Sequence, residues 1–309
     1  MKTINPKFLT TKEIQKCLDG YILQKIKPQN KELNRFITSN ISFFRRYKIK
    51  NIFRKLFLKR QKDVSRVDKE YTQVWSTKQY PGSPDTKGGS YHYWNDEYFI
   101  LEGWASKRVH LLLFSKVIEA TKPKNYIEIG SGNGVMLMML SLLHPNVNFV
   151  GLELTQAGVN AAKNLQKLDK LPDEIIKFIP RTIKEPKAFK KVKFIQGNAC
   201  NIPFNNNHFD FVSTSLALEQ MAAIQNKVLE EIIRISKGYI GLLEPFKDFN
   251  VSKLQKIYTS ARDYLSLTTN DIEKHNDIKV ISKFSDYPQK LIRGTAYLLA
   301  KKIMVNLDK

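Results

Sequence analysis

From residue 99 onward, short apolar runs alternate with stretches in which apolar positions recur every three or four residues. Segment 99–121 carries Val109, Leu112, Leu113 and Val117 at that spacing and predicts a helix. A short apolar strand is expected at 125–130, ending in glycine, and an apolar helix at 135–144. Further strands are expected at 148–154, 192–197, 209–214 and 239–245, with helices at 155–168 and about 219–235. Thr155 is placed to cap the first of these helices. Strands alternating with helices at this spacing imply a mostly parallel sheet with helices on both faces, an α/β fold. Two last strand-like runs, 278–284 and 294–304, read as an antiparallel pair at the sheet edge. Residues 1–75 instead read as helical and basic, and 76–98 as a loop rich in proline and glycine that ends in an aromatic cluster. The chain therefore divides into 1–98, a helical basic extension with an aromatic lid or linker, and 99–309, the α/β domain.

The sharpest chemical signal is Glu128-Ile129-Gly130-Ser131-Gly132-Asn133-Gly134, where a strand runs into three alternating glycines and a helix follows. Glycine permits the tight turn and lets a ligand approach the backbone, and the helix N-terminus beyond favours negative charge. A dinucleotide fingerprint needs Gly-x-Gly-x-x-Gly, and here the third glycine comes one residue early. Glu153 ends the next strand, beside Leu154, where a carboxylate can accept hydrogen bonds from a ribose diol. Gly197-Asn198-Ala199-Cys200 ends the third strand, and Thr214 and Ser215 end the fourth on the same side of the sheet.

The pattern [Asp/Glu]-x-Gly-x-Gly-x-Gly resembles motif I of the class I S-adenosylmethionine-dependent methyltransferases. Pro203-Phe204 followed by Phe209-Asp210-Phe211-Val212 resembles the family's passage into its fourth strand. The resemblance spans roughly 100–304 and implies a seven-stranded Rossmann-like sheet of order 3-2-1-4-5-7-6, with the seventh strand antiparallel. It also implies S-adenosylmethionine as donor. On that basis the cofactor-binding residues are Glu128, Gly130, Ser131, Gly132, Gly134, Glu153, Leu154, Asn198, Ala199, Cys200, Thr214 and Ser215. The family usually carries Asp where Asn198 stands, but an amide oxygen can still accept from the adenine amine.

Composition adds a large charge imbalance, 51 Lys and Arg against 29 Asp and Glu, for a net charge of +22. Such a field attracts nucleic acid, anionic membranes or phosphorylated substrates, although Lys and Asn are abundant throughout the chain. Cys17 and Cys200 are far apart and match no metal spacing, so no metal site is expected and a reducing, cytoplasmic compartment is. The start lacks the apolar stretch of a secretory signal, and no run is long enough to span a membrane.

Methyl transfer needs mainly alignment and exclusion of water, with a base only when the nucleophile must lose a proton. His92, in Tyr91-His92-Tyr93-Trp94, is the histidine best placed by sequence to sit in a lid over the donor, with Tyr91 beside it. His110 reads as structural, and His144 and His208 as solvated. Glu219 follows the fourth strand and is the third catalytic candidate; the family's histidine in this region is replaced by Gln220. The segment 41–60 combines Ile41, Phe44, Ile49, Ile52, Phe53, Leu56 and Phe57 with eight basic residues as an amphipathic helix. Three readings of it remain open: a helix packed on the core or acting as a lid, peripheral contact with an anionic membrane, and a grip on RNA phosphate. The expected activity is O-methylation of a small-molecule, glycan or lipid-linked acceptor. RNA methylation is the alternative enzyme, and a non-catalytic binding module is the alternative of another class.

Overall fold

The computed structural model describes residues 8–58, 64–77, 89–264 and 266–303. The N-terminal part contains α1 (Thr11–Leu18), β1 (Ile22–Ile26), α2 (Lys31–Leu58), α3 (Val64–Thr77), β2 (Gly89–Trp94) and β3 (Glu97–Glu102). There follow α4 (Ala105–Thr121), β4 (Asn125–Ile129), α5 (Val135–Leu143), β5 (Asn148–Glu153), α6 (Gln156–Gln166), α7 (Asp173–Ile176) and β6 (Lys193–Gln196). The chain continues with β7 (Phe209–Ser215), α8 (Gln225–Ile235), β8 (Ser236–Glu244), α9 (Lys253–Ala261) and α10 (Thr269–Glu273). It closes with β9 (Ile278–Phe284), β10 (Gln289–Lys290) and β11 (Ala296–Lys302).

Seven strands form one sheet in the order β6-β5-β4-β7-β8-β11-β9. Numbered within the α/β domain this is 3-2-1-4-5-7-6, as the resemblance implies. The first five strands run parallel, and β11 pairs antiparallel with both β8 and β9. Successive residues of a strand point to opposite faces, so the central strands feed two cores. Tyr126, Phe211, Leu243, Tyr297 and Leu299 join the core built with α4 and α5. Ile127, Val212, Leu242, Leu298 and Ala300 join the core built with α8 and α10. Thr155 caps α6 as its position predicts, accepting from Gly158 N at 3.0 Å.

Several sequence expectations are corrected outside this sheet. Residues 99–102 are not the start of a helix but strand β3, and α4 begins only at Ala105. Asn95 and Asp96, both at positive φ (50° and 60°), make a two-residue turn that returns the chain from β2 to β3. Gly89–Trp94, expected in a loop, is therefore a strand; residues 78–88 lie outside the described residues. The region expected to be helical also contains β1, which pairs with β3. A second sheet results, in the order β1-β3-β2-β10. Its last strand comes from the connection between β9 and β11, so the C-terminal part completes the N-terminal sheet, and position 98/99 falls inside β3.

Helix α2 packs on α9 through Phe44 against Tyr258, with Asn51 Nδ2 donating to the Ala261 carbonyl at 2.9 Å. Phe36 rests on Tyr91 of β2. The single apolar face expected for 41–60 is split: Ile41 and Phe44 turn inward, whereas Ile49, Ile52 and Phe53 are exposed. His144, expected to be solvated, is buried, with Nε2 2.8 Å from Ser115 Oγ.

Candidate active site

The loop after β4 is drawn over the end of β5, because the amides of Gly130 and Ser131 both donate to the Leu152 carbonyl, at 2.8 and 3.0 Å. Gly130 and Gly132 have positive φ (74° and 56°), which favours glycine. A Cβ on Gly130 would lie 2.5 Å from Ala217 Cβ, and one on Gly132 would lie 2.9 Å from the Trp75 ring. Gly134 plays a different part from the one expected. It caps α5 at φ 70° and does not line the cavity, and a Cβ there would meet Phe194 at 2.2 Å. Gly134→Ala is accordingly expected to cost about 2 kcal/mol or more of stability through backbone strain and overpacking, read as a lowered midpoint in urea.

Glu153, at the tip of β5, ties the loop to the start of α6. Its Oε2 accepts from Gly132 N at 2.9 Å, and its Oε1 accepts from Thr155 N and Oγ1 at 3.1 and 2.8 Å. These residues line a cavity of about 340 Å³ together with Glu128, Ser131, Asn133, Leu154, Asn198, Ala199 and Ser215. Asn198 Oδ1 also accepts from Cys200 N at 2.9 Å, fixing the turn after β6. Cys200 and Thr214 are not among the lining residues.

Of the expected catalytic residues, only Glu219 reaches the cavity. Both of its carboxylate oxygens accept from Arg293 Nη1, at 2.7 and 2.6 Å. Arg293 arrives from the connection that also carries β10. Burial opposes its charge, but Glu219, Tyr258 and Tyr264 outweigh burial and raise its pKa further. His92 and Tyr91 sit in the small sheet, away from the cavity wall. His92 is buried against Phe99, its Nδ1 lies 2.8 Å from the Ser90 carbonyl, and burial lowers its pKa to about 4. The segment 91–94 is therefore not the cover of the site. That cover is α3, which places Val67, Tyr71 and Trp75 in the cavity wall.

The sequence reading also missed Lys107 and His110, one turn apart on α4, and Asn133, Met221 and Ile224. Burial, reinforced by Lys107, Lys290 and Arg293, lowers the His110 pKa to about 3, so its imidazole is neutral. Burial raises Glu128 to about 8, with Lys107 opposing and Glu244 and Glu153 adding to the rise. Glu244 is likewise raised to about 8, by burial and then by Glu219. It accepts from the amides of Ala217, Leu218 and Glu219 at 3.1 to 3.2 Å and so holds the segment after β7 in place.

These shifts set a pH optimum for the stability of the ligand-free chain. Glu128 and Glu244 keep their protons up to about pH 8 when folded but release them near 4.5 when unfolded. Their contribution is complete below pH 4.5 and is lost as pH rises through 8. His92, His110 and His144 stay neutral down to about 4, 3 and 4 when folded, but take protons near 6.5 when unfolded. Their contribution is present above 6.5 and is lost as pH falls. The three histidines outweigh the two carboxyls on the acid side, and only the carboxyls act between 6.5 and 8. The melting temperature is expected to peak near pH 6.5; a steady rise to pH 8.5 would contradict these burial effects.

The cavity fits a ligand that offers hydrogen-bonding groups. Four of its lining residues, Trp75, Glu128, Ser131 and Asn133, each hold a buried side-chain nitrogen or oxygen without a hydrogen-bond partner. Clustering of such orphaned atoms in one cavity points to a bound polar group that supplies the missing partners.

A family model described as a methyltransferase domain matches residues 120–281, more than half of the chain. The chain belongs to this methyltransferase family, and its glycine loop and strand order are those of class I, whose donor is S-adenosylmethionine. Comparison with curated proteins finds no match. Among solved structures, the [4+2]-cyclase SpnF is 15% identical, with a TM-score of 0.50, and the match covers 77% of this chain and 96% of that one. Magnesium protoporphyrin IX methyltransferase (ChlM) from Synechocystis PCC 6803, solved with bound SAH, is 13% identical over 64% of this chain and 84% of that one, with a TM-score of 0.48. A SAM-dependent methyltransferase from Methanosarcina mazei is 14% identical over 61% and 98% of the two chains, with a TM-score of 0.47. At these identities the likeness concerns the fold alone.

Proposed function

We propose that the chain methylates a hydroxyl of a small-molecule, glycan or lipid-linked acceptor, with the donor held across the ends of β4, β5 and β6. S-adenosylmethionine supplies an activated methyl group on a cationic sulfur. Glu128 and Lys107 hold the ammonium and carboxylate of its methionine end. Glu153 accepts from its ribose, and Asn198 and Ala199 receive its adenine. Trp75 closes over the glycine loop. The neutral imidazole of His110 accepts a hydrogen bond from the acceptor hydroxyl, orients it and takes its proton as the oxygen gains the methyl group and the donor leaves as neutral S-adenosylhomocysteine, while Glu219 and Arg293 fix that wall of the site.

The observation that carries this reading is the shared cavity. The donor loops and the side chains of Tyr71, His110, Met221 and Ile224 line one space of about 340 Å³. Methyl-labelled donor incubated with the protein and a fractionated extract is expected to label the small-molecule, glycan or lipid pool. Label confined to the RNA pool would contradict the reading.

Two further outcomes follow from the assigned roles. A cation placed at Glu128 lowers its pKa, so donor binding is expected to release a proton and to tighten between pH 6.5 and 8; pH-independent titration calorimetry would contradict the contact. Trp75→Ala is expected to weaken donor binding about tenfold by uncovering the glycine loop, with little loss of stability because the ring packs on the ligand site.

A further inference from the structure

We propose that the outward face of α2 docks the protein on an anionic lipid surface. The inward face of this helix is already occupied: Leu33 is buried, Phe36 meets Tyr91, Phe44 meets Tyr258, and Asn51 bonds to α9. The solvent-facing side of the helix carries Ile49 (55% exposed) and Phe53 (58%), with Ile52 (45%) at one edge and Phe43 (59%), which packs on Phe44 and Tyr47, at the other. Arg45, Arg46, Lys48 and Lys50 are interleaved with them, are exposed, and form no ion pair among the described residues. Leaving large apolar groups such as Ile49 and Ile52 in water is unfavourable.

The chemistry of the face selects its partner. A second copy meeting it through a two-fold axis would set four cations against four like charges. Nucleic acid phosphate would satisfy the cations but leave Ile49 and Ile52 with nothing to stack on. An anionic bilayer meets both needs at once: lipid headgroups neutralise the cations, and the apolar side chains enter the acyl boundary. The chain's net charge of +22 draws the whole molecule in the same direction.

The test is co-sedimentation of the full chain with vesicles of phosphatidylcholine alone or mixed with phosphatidylserine. Binding to the mixed vesicles is expected to be at least about tenfold tighter and to fall steeply with added salt. Arg45→Glu, Arg46→Glu, Lys48→Glu and Lys50→Glu together are expected to abolish the preference. Phe43→Gln, Ile49→Gln, Ile52→Gln and Phe53→Gln together are expected to weaken binding to mixed vesicles at least about tenfold. Unchanged donor affinity in both variants would show that they fold. Equal binding to the two kinds of vesicle, or binding unaffected by either set of substitutions, would overturn the proposal. So would self-association through this face, or binding to RNA without binding to vesicles.

Discussion

Glu153→Ala is expected to weaken donor binding at least about 100-fold. The side chain has two duties, and alanine performs neither. Within the protein it accepts from Gly132 N, Thr155 N and Thr155 Oγ1, which holds the glycine loop against the start of α6. Removing the acceptor leaves buried amides unpaired, at a cost of about 1–3 kcal/mol each. Towards the ligand it is the carboxylate that the ribose diol would meet, and charge-assisted hydrogen bonds are about twice as strong as neutral ones. Glu153→Gln keeps one acceptor oxygen and is expected to fall between wild type and alanine. Calorimetric titration with S-adenosylhomocysteine reads both. Equal affinities for wild type and Glu153→Ala would remove Glu153 from the donor site.

Arg293→Met is expected to cost about 3–5 kcal/mol of stability. Methionine fills much of the space but leaves the Glu219 carboxylate, whose side chain is 5% exposed, without its partner. An unpaired charge at such a position is far more costly than an absent pair. Arg293→Met combined with Glu219→Gln is therefore expected to recover more than half of the loss. Urea unfolding with an unchanged m-value separates the two cases. A single-variant cost below about 1 kcal/mol would mean that Glu219 is compensated by another cation, such as Lys290, which lies in Coulombic reach. Both variants are expected to lose activity, because this pair forms part of the cavity wall.

The sheet and the glycine-loop wall of the cavity were legible in the sequence because their demands on residue type are steep. Only glycine fits easily at positive φ beneath Ala217 and Trp75, and an acid at the end of the second core strand has few other uses. The cover was not legible. Val67, Tyr71 and Trp75 recur every fourth residue on α3, a pattern that looks the same whether the helix seals a core or a ligand. Residues 99–102 of β3 look helical because Phe99-Ile100-Leu101 runs on into the apolar pattern of α4, and the Asn95-Asp96 turn contains no glycine. His92 drew attention as a histidine among aromatics, yet the hairpin register turns it onto Phe99 and away from the cavity. Arg293 is a single basic residue in a short connection, and nothing in its local sequence shows that it will meet Glu219 across the fold.

The central claim is that the glycine loop and Glu153 hold S-adenosylmethionine beneath α3. A crystal structure of the protein with S-adenosylhomocysteine tests it most directly. The amino-acid end of the ligand is expected beside Glu128 and Ser131, and the ribose hydroxyls on Glu153. The Trp75 ring is expected over the loop. A ligand bound elsewhere, or this cavity filled by the protein's own side chains, would contradict it.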